Sequence, residues 1–277
     1  MSNANTHDRP LDVVIKTRGK DLHTFLHLQR DLLRHSRLRG RVYVIVHPKD
    51  LAEYEKVVDD NFILTTMNQA LKAFGYERDL QDTWGTQQII KLLASGIVSN
   101  EQYLVIDANT LINYDFDETH FYRGGHFIYA INDLTDEEWE GQARQFLNLD
   151  PEGVLYGFRS TNQVFIKSNV FALVEYLEKL YGRNIVEILD SDPEAWTEFK
   201  LYGYFCRCIL KGGGHYYQPS GDVTSVNKIK INVPSYVAWI KFRRPLMVKV
   251  YKHRPTHELS VEEYEEFVAQ IKLAYQR

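Results

Sequence analysis

Gln102-Tyr103-Leu104-Val105-Ile106-Asp107-Ala108-Asn109-Thr110 is the stretch whose reading decides the fold. Residues 103–106 hold no charged side chain and are rich in β-formers, which predicts a strand buried on both faces of a mostly parallel sheet. The run stops at a carboxylate and an amide, and open α/β sheets bind ligands at the carboxyl ends of such strands. In extended geometry Asp107 and Asn109 project to one side, offering two oxygen-bearing side chains to one cation or one ribose. A strand end closed by turn-forming Asp and Asn is the plainer reading of the same residues.

Working outward, residues 11–15 and 41–46 read as two further strands, with a weaker one at 61–66. Between the first two lies a helix starting near Asp21. In it Leu22, Phe25, Leu26, Leu32 and Leu33 recur at helical spacing, and His23, His27, Arg30 and Arg34 are expected on a solvated side. Strand, helix, strand with short polar connections is the α/β pattern. Short helices are expected at 51–58 and 84–95, the latter ended by Gly96. Ile89, Leu92 and Leu93 point it inward, while Gln87, Gln88 and Lys91 share its more polar side. Gln87 and Lys91 are four apart and can reach one ligand together.

Downstream, strands are expected at 127–131, 154–158 and 163–167, and helices at 134–149 and 169–181. Asp192-Pro193-Glu194 reads as a helix start, with Asp as cap and Pro at the first turn. In that helix Glu198 falls among Leu201, Tyr202 and Phe205, which predicts a carboxylate in apolar company and a raised pKa. Lys211-Gly212-Gly213-Gly214-His215 follows. Its glycines permit either close backbone approach to a ligand or a loose connection. Two strand-like runs, 237–242 and 246–251, precede a final helix from Ser260 with a Ser260–Glu263 capping box. The Trp239, Lys241, Phe242, Arg243, Arg244 cluster reads as half-exposed strand alternation, with peripheral membrane contact as the alternative.

Bulk composition bounds the function. A chain of 277 residues with 44% hydrophobic content fills one α/β unit with embellishments, so one domain is expected over 11–277 after a flexible 1–10. Its parts would be a nucleotide-binding half at 11–110, an acceptor-side half at 111–235, and C-terminal strands and helix at 236–277. The net charge of -4 argues against nucleic acid as a partner. Cys206 and Cys208, two apart, form neither a disulfide framework nor a zinc spacing. No run approaches the length of a membrane span and no apolar signal core opens the chain, so a cytoplasmic location is expected. Eighteen tyrosines favour, mildly, a sugar or nucleobase site.

Four segments together resemble a bacterial glycosyltransferase-like family of the GT-A type. They are Val13-Val14-Ile15-Lys16-Thr17, Trp84-Gly85-Thr86-Gln87-Gln88-Ile89-Ile90-Lys91-Leu92, the 103–110 strand with its Asp-x-Asp-like end, and Trp196-Thr197-Glu198-Phe199-Lys200-Leu201-Tyr202-Gly203. The resemblance spans about 11–217. It implies a Rossmann-like, mixed but mostly parallel central sheet flanked by helices. It also implies transfer of a sugar from a nucleotide diphosphate sugar to a hydroxyl acceptor such as a glycan, as in the biosynthesis of a surface polysaccharide. Thr17, Arg18, His47, Trp84, Gln88, Lys91, Asp107 and Asn109 would then bind donor. Asp107, Asn109 and His215 would hold Mn or Mg, and Glu198 would be the general base of an inverting reaction. The family pattern has aspartate where this chain has Asn109, so one negative charge of the metal site is lost. A non-catalytic nucleotide or glycan binder is one alternative. A nucleotidyltransferase is another, disfavoured because the first turn holds only Gly19.

Overall fold

The computed structural model describes residues 9–131, 137–150, 152–158, 162–192, 196–219, 223–225, 247–249 and 261–276. Its centre is a five-stranded sheet built from β1 (Leu11–Lys16), β2 (Val42–Val46), β3 (Phe62–Thr66), β4 (Gln102–Asp107) and β8 (Gln163–Ile166). The strand order is β3-β2-β1-β4-β8. The first four strands are parallel and β8 is antiparallel to β4, so the sheet is mixed but mostly parallel, as expected.

Alternation along the strands divides the core between the two faces. Val13, Ile15, Val44, Leu104 and Ile106 pack against Phe25, Leu28 and Leu32 of α1 (Leu22–His35). Val14, Ile45, Tyr103 and Val105 pack on the other face. There they meet α4 (Trp84–Leu93), α6 (Lys167–Tyr181), α7 (Ile185–Asp190) and α8 (Glu198–Tyr204). Helix α6 stops where Gly182 takes a φ of 65°, a left-handed geometry open to glycine. Short helices α2 (Leu51–Tyr54) and α3 (Met67–Lys72) flank β3, and α5 (Glu137–Phe146) packs against α8.

Two small sheets extend the core. Strands β6 (Tyr122–Arg123), β7 (His126–Ile131) and β9 (His215–Pro219) form one, in the order β6-β7-β9. Strands β5 (Thr110–Ile112), β10 (Val223–Ser225) and β11 (Met247–Lys249) form the other, in the order β10-β11-β5. The last helix, α9 (Val261–Gln276), lies over α1: His27 Nε2 is 2.6 Å from Glu265 Oε1, and Lys272 pairs with the buried Asp31.

Several expectations change. His27 is buried rather than solvated, because α9 covers the polar side of α1. Residues 154–158 form no strand and contribute one isolated bridge, from Phe158 to Ile131. Helix α8 begins at Glu198, capped by the Thr197 hydroxyl, which accepts from the Lys200 amide. The Asp192 start is therefore not its cap, and Pro193 and Glu194 lie outside the described residues, as do 237–242 and the Ser260 side of the capping box. The glycines of 212–214, at φ of 116°, 54° and 76°, make a packed turn in which the Asn169 amide donates to the Gly213 carbonyl at 2.7 Å.

Asp12, fully buried inside β1, accepts from Arg41 N at 2.7 Å, Asn100 N at 2.8 Å and Asn100 Nδ2 at 2.7 Å. One carboxylate thus ties together the segments entering β1, β2 and β4. Its loss orphans donors rather than merely deleting a contact. Asp12→Ala is expected to cost about 3 kcal/mol, measured by urea denaturation; a loss below about 1 kcal/mol would mean that these donors find other partners.

Candidate active site

Parallel pairing of β1 with β4 sets Lys16 opposite Asp107 at the carboxyl edge of the sheet. Helices α4 and α8 pack against each other on one face of the sheet, α4 also touching β1. Position 91 on α4 is three residues past Gln88, so both side chains point toward the start of α8. There Lys91 Nζ lies 2.6 Å from Asp107 Oδ1 and 2.8 Å from Glu198 Oε1. The ammonium also stands 5.3 Å from the centroid of the Phe199 ring. With the Gln88 amide oriented to satisfy its bonds, its nitrogen donates to Glu198, 2.9 Å from Oε1, and its oxygen accepts from Trp84 Nε1 at 3.1 Å.

The cluster is largely closed to solvent: the Glu198 side chain is 0% exposed, that of Lys91 4% and that of Asp107 13%. Desolvation disfavours the charged form of Glu198 and raises its pKa. Lys91 pulls it back down by charge and hydrogen bond, and Asp107 adds to the rise. Glu198 is thus a buried carboxyl whose ionisation hangs on one lysine.

The nucleoside side of the edge is more open. Thr17 follows β1 and its hydroxyl shares a 2.8 Å bond with Tyr54. Arg18 reaches Asp21 at 3.2 Å, and the Gln87 side-chain oxygen accepts from Arg18 Nε at 2.9 Å. His47 follows β2, where its Nδ1 accepts from the Lys49 amide at 3.1 Å. Lys16, buried, pairs with Asp82 at 3.0 Å; burial holds its pKa down, against the pull of Asp82. Trp84 stacks with Trp139 of α5 at 5.7 Å. It edges a cavity of about 380 Å³ that Arg78, Leu80, Thr83, Thr86 and Asp190 also line.

The structure therefore brings Trp84, Gln88, Lys91, Asp107 and Glu198 into one bonded chain. Thr17, Arg18 and His47 stand at the neighbouring strand ends, and half-buried Asn109 follows Asp107 in the turn before β5. His215 is held elsewhere. Its Nε2 shares a 2.7 Å bond with the Tyr202 hydroxyl, its Nδ1 faces the Phe127 carbonyl at 3.3 Å, and Tyr129 packs edge-on at 5.1 Å. Burial lowers its pKa to about 4.

These residues fit a divalent cation poorly. One Asp107 oxygen, Oδ1, already binds an ammonium, Asn109 is neutral, and His215 spends both ring nitrogens on the protein. Among the described residues no three His, Cys, Asp or Glu side chains group as a ligand set.

Sequence reasoning missed a second buried pair on α8. Lys200 Nζ meets Glu140 Oε1 at 3.1 Å, and the Tyr204 hydroxyl donates to Glu140 Oε2 at 2.7 Å, fastening α8 to α5. Only its spacing on α8, where positions 200 and 204 are one turn apart, hinted at it.

This architecture is the GT-A glycosyltransferase fold. The structure is similar to that of the galactosyltransferase LgtC in complex with donor and acceptor sugar analogues, at a TM-score of 0.51 and 14% identity, over 94% of this chain and 95% of that one. An active-site mutant of LgtC matches with the same TM-score of 0.51. The apo bifunctional glycosyltransferase WbbM matches at 0.51 and 13% identity over 97% of this chain, which spans 51% of WbbM. By sequence, the chain belongs to the family of unknown function DUF6492, matched over residues 11–228. No curated protein sequence matches it. Among the described residues no helix is long and apolar enough to cross a membrane.

The His215 environment carries a pH dependence. Its folded pKa lies below the ordinary 6.5, so the unfolded chain binds the proton more readily and stability falls as pH drops from about 6.5 to about 4. A loss of about 3 kcal/mol across that window is expected from this group. His215→Gln should flatten the profile, read as denaturation midpoints at a series of pH values, and an unchanged slope would assign it to other groups.

Proposed function

We propose that the protein is a nucleotide-sugar-dependent glycosyltransferase that transfers a sugar to a hydroxyl of a glycan acceptor. The observation that carries this reading is the Lys91–Asp107–Glu198 cluster at the carboxyl edge of a GT-A sheet. A nucleotide diphosphate sugar would lie across that edge, its nucleoside near Thr17, Arg18 and His47 and its ribose and diphosphate near Asp107, Asn109 and Lys91. The Trp84 face and its cavity would receive the sugar ring of the donor.

Glu198 is the general base in this reading. It takes the proton of the acceptor hydroxyl while that oxygen attacks the anomeric carbon and the diphosphate leaves with the electron pair of the broken bond, inverting the centre. Lys91 and Gln88 close off the carboxylate in the free protein. As the diphosphate comes to share the Lys91 ammonium, the pull of that charge on Glu198 weakens and its basicity rises, so donor binding precedes proton transfer.

A second reading is a non-catalytic nucleotide or glycan binder, favoured by Asn109 where the second acid would stand. Donor turnover separates the two. A thermal-shift screen of nucleotide sugars selects the donor class, because a ligand bound by the folded state raises the melting temperature. With that donor, Glu198→Gln is expected to lower transfer by at least about a hundredfold while nucleotide affinity stays within a few-fold. Retained turnover would remove Glu198 from the mechanism, and binding with no turnover in the parent protein would favour the binder.

A further inference from the structure

We infer that the donor diphosphate is neutralised by the Lys91 ammonium itself, in the position where a GT-A site of the usual composition would carry a divalent cation. The inference rests on reading this edge as a donor site and goes beyond it, because it assigns the counter-charge to a residue of the chain.

Geometry supports it from both sides. A hard cation ligated by Asp107 Oδ1 would sit about 2.0–2.6 Å from that oxygen, and Lys91 Nζ already lies 2.6 Å from it. Two cations sharing one carboxylate repel, and more strongly where the site is largely closed to solvent. The remaining ligands that a metal would call on are weak or spoken for: a neutral amide at Asn109, and His215 bonded to Tyr202 and to the Phe127 carbonyl. The ammonium, in contrast, is fixed from three directions by Asp107, Glu198 and the Phe199 ring. A charge held in place before the ligand arrives needs no reorganisation when negative charge develops on the leaving group. Nearby cations are less suited: Lys16 is buried against Asp82, and Arg18 is turned to Asp21 and Gln87. The ligand class is a nucleoside diphosphate, with or without its sugar.

The test is calorimetry of the full chain with UDP, GDP, CDP and dTDP, each in EDTA and again in excess Mn. For the nucleotide that binds, the affinity in EDTA and in Mn is expected to agree within about threefold, and a loss of more than about tenfold in EDTA overturns the inference while leaving the donor-site reading standing. Binding of none of the four in either buffer sinks both. Lys91→Met supplies the second arm. It removes the charge but keeps the length, so binding in EDTA is expected to fall by more than about tenfold and to recover when Mn takes the vacated place beside Asp107. Lys91→Arg should retain metal-free binding. A merely structural lysine would give a folded Lys91→Met protein, verified by circular dichroism, that binds equally in both buffers, and that result also overturns the inference. If Lys91→Met does not fold, the comparison of EDTA with Mn in the parent protein decides alone.

Discussion

One ammonium group shared by two buried carboxylates is the constraint around which the site is organised. Lys91 comes from a helix on one face of the sheet, Asp107 from the end of a central strand and Glu198 from the first turn of α8. Three elements distant in sequence are therefore tied at a single nitrogen. Burying such charges is costly unless each is paired, and two anions on one cation leave a surplus of negative charge. Burial is the main reason that Glu198 is displaced toward its protonated form; Lys91 opposes that displacement and the charge of Asp107 adds to it.

The central sheet was legible because its strands are buried on both faces and so read as short, mostly apolar runs, 11–15, 41–46 and 103–106, without need of a periodicity argument. The antiparallel β8 was visible as a strand, but its direction was not, since direction is set by the connection that precedes it. Errors fell where tertiary contact overrode a local pattern. His27 sits on a helix side that the sequence pattern assigned to water, and packing against β5 and against α9, from more than two hundred residues away, changes that. The start of α8 was placed early because Asp192-Pro193-Glu194 carries good capping chemistry, whereas Thr197 supplies the cap actually used.

The same split runs through the site. Glu198 was recognisable from its apolar neighbours on the helix, and Asp107 from the abrupt end of its strand. Their connection was not recognisable, because Lys91 and Gln88 on a polar helix side look like solvated residues until α8 closes over them. His215 misleads in the opposite sense. A histidine after a glycine turn invites a ligand role, yet the turn is packed and the ring is absorbed into a Tyr129, Tyr202 and Tyr217 cage.

Trp84 turns the buried cluster into something that can be watched. Its indole N–H donates to the Gln88 side chain, which in turn donates to Glu198, and one face of the ring lies against Trp139. Indole emission shifts with the hydrogen bond at that nitrogen and with the aromatic stacked on it, so any rearrangement of the carboxylate is relayed to a chromophore at the protein surface. The molecule thereby carries its own optical gauge of the state of an acid fully enclosed in its interior.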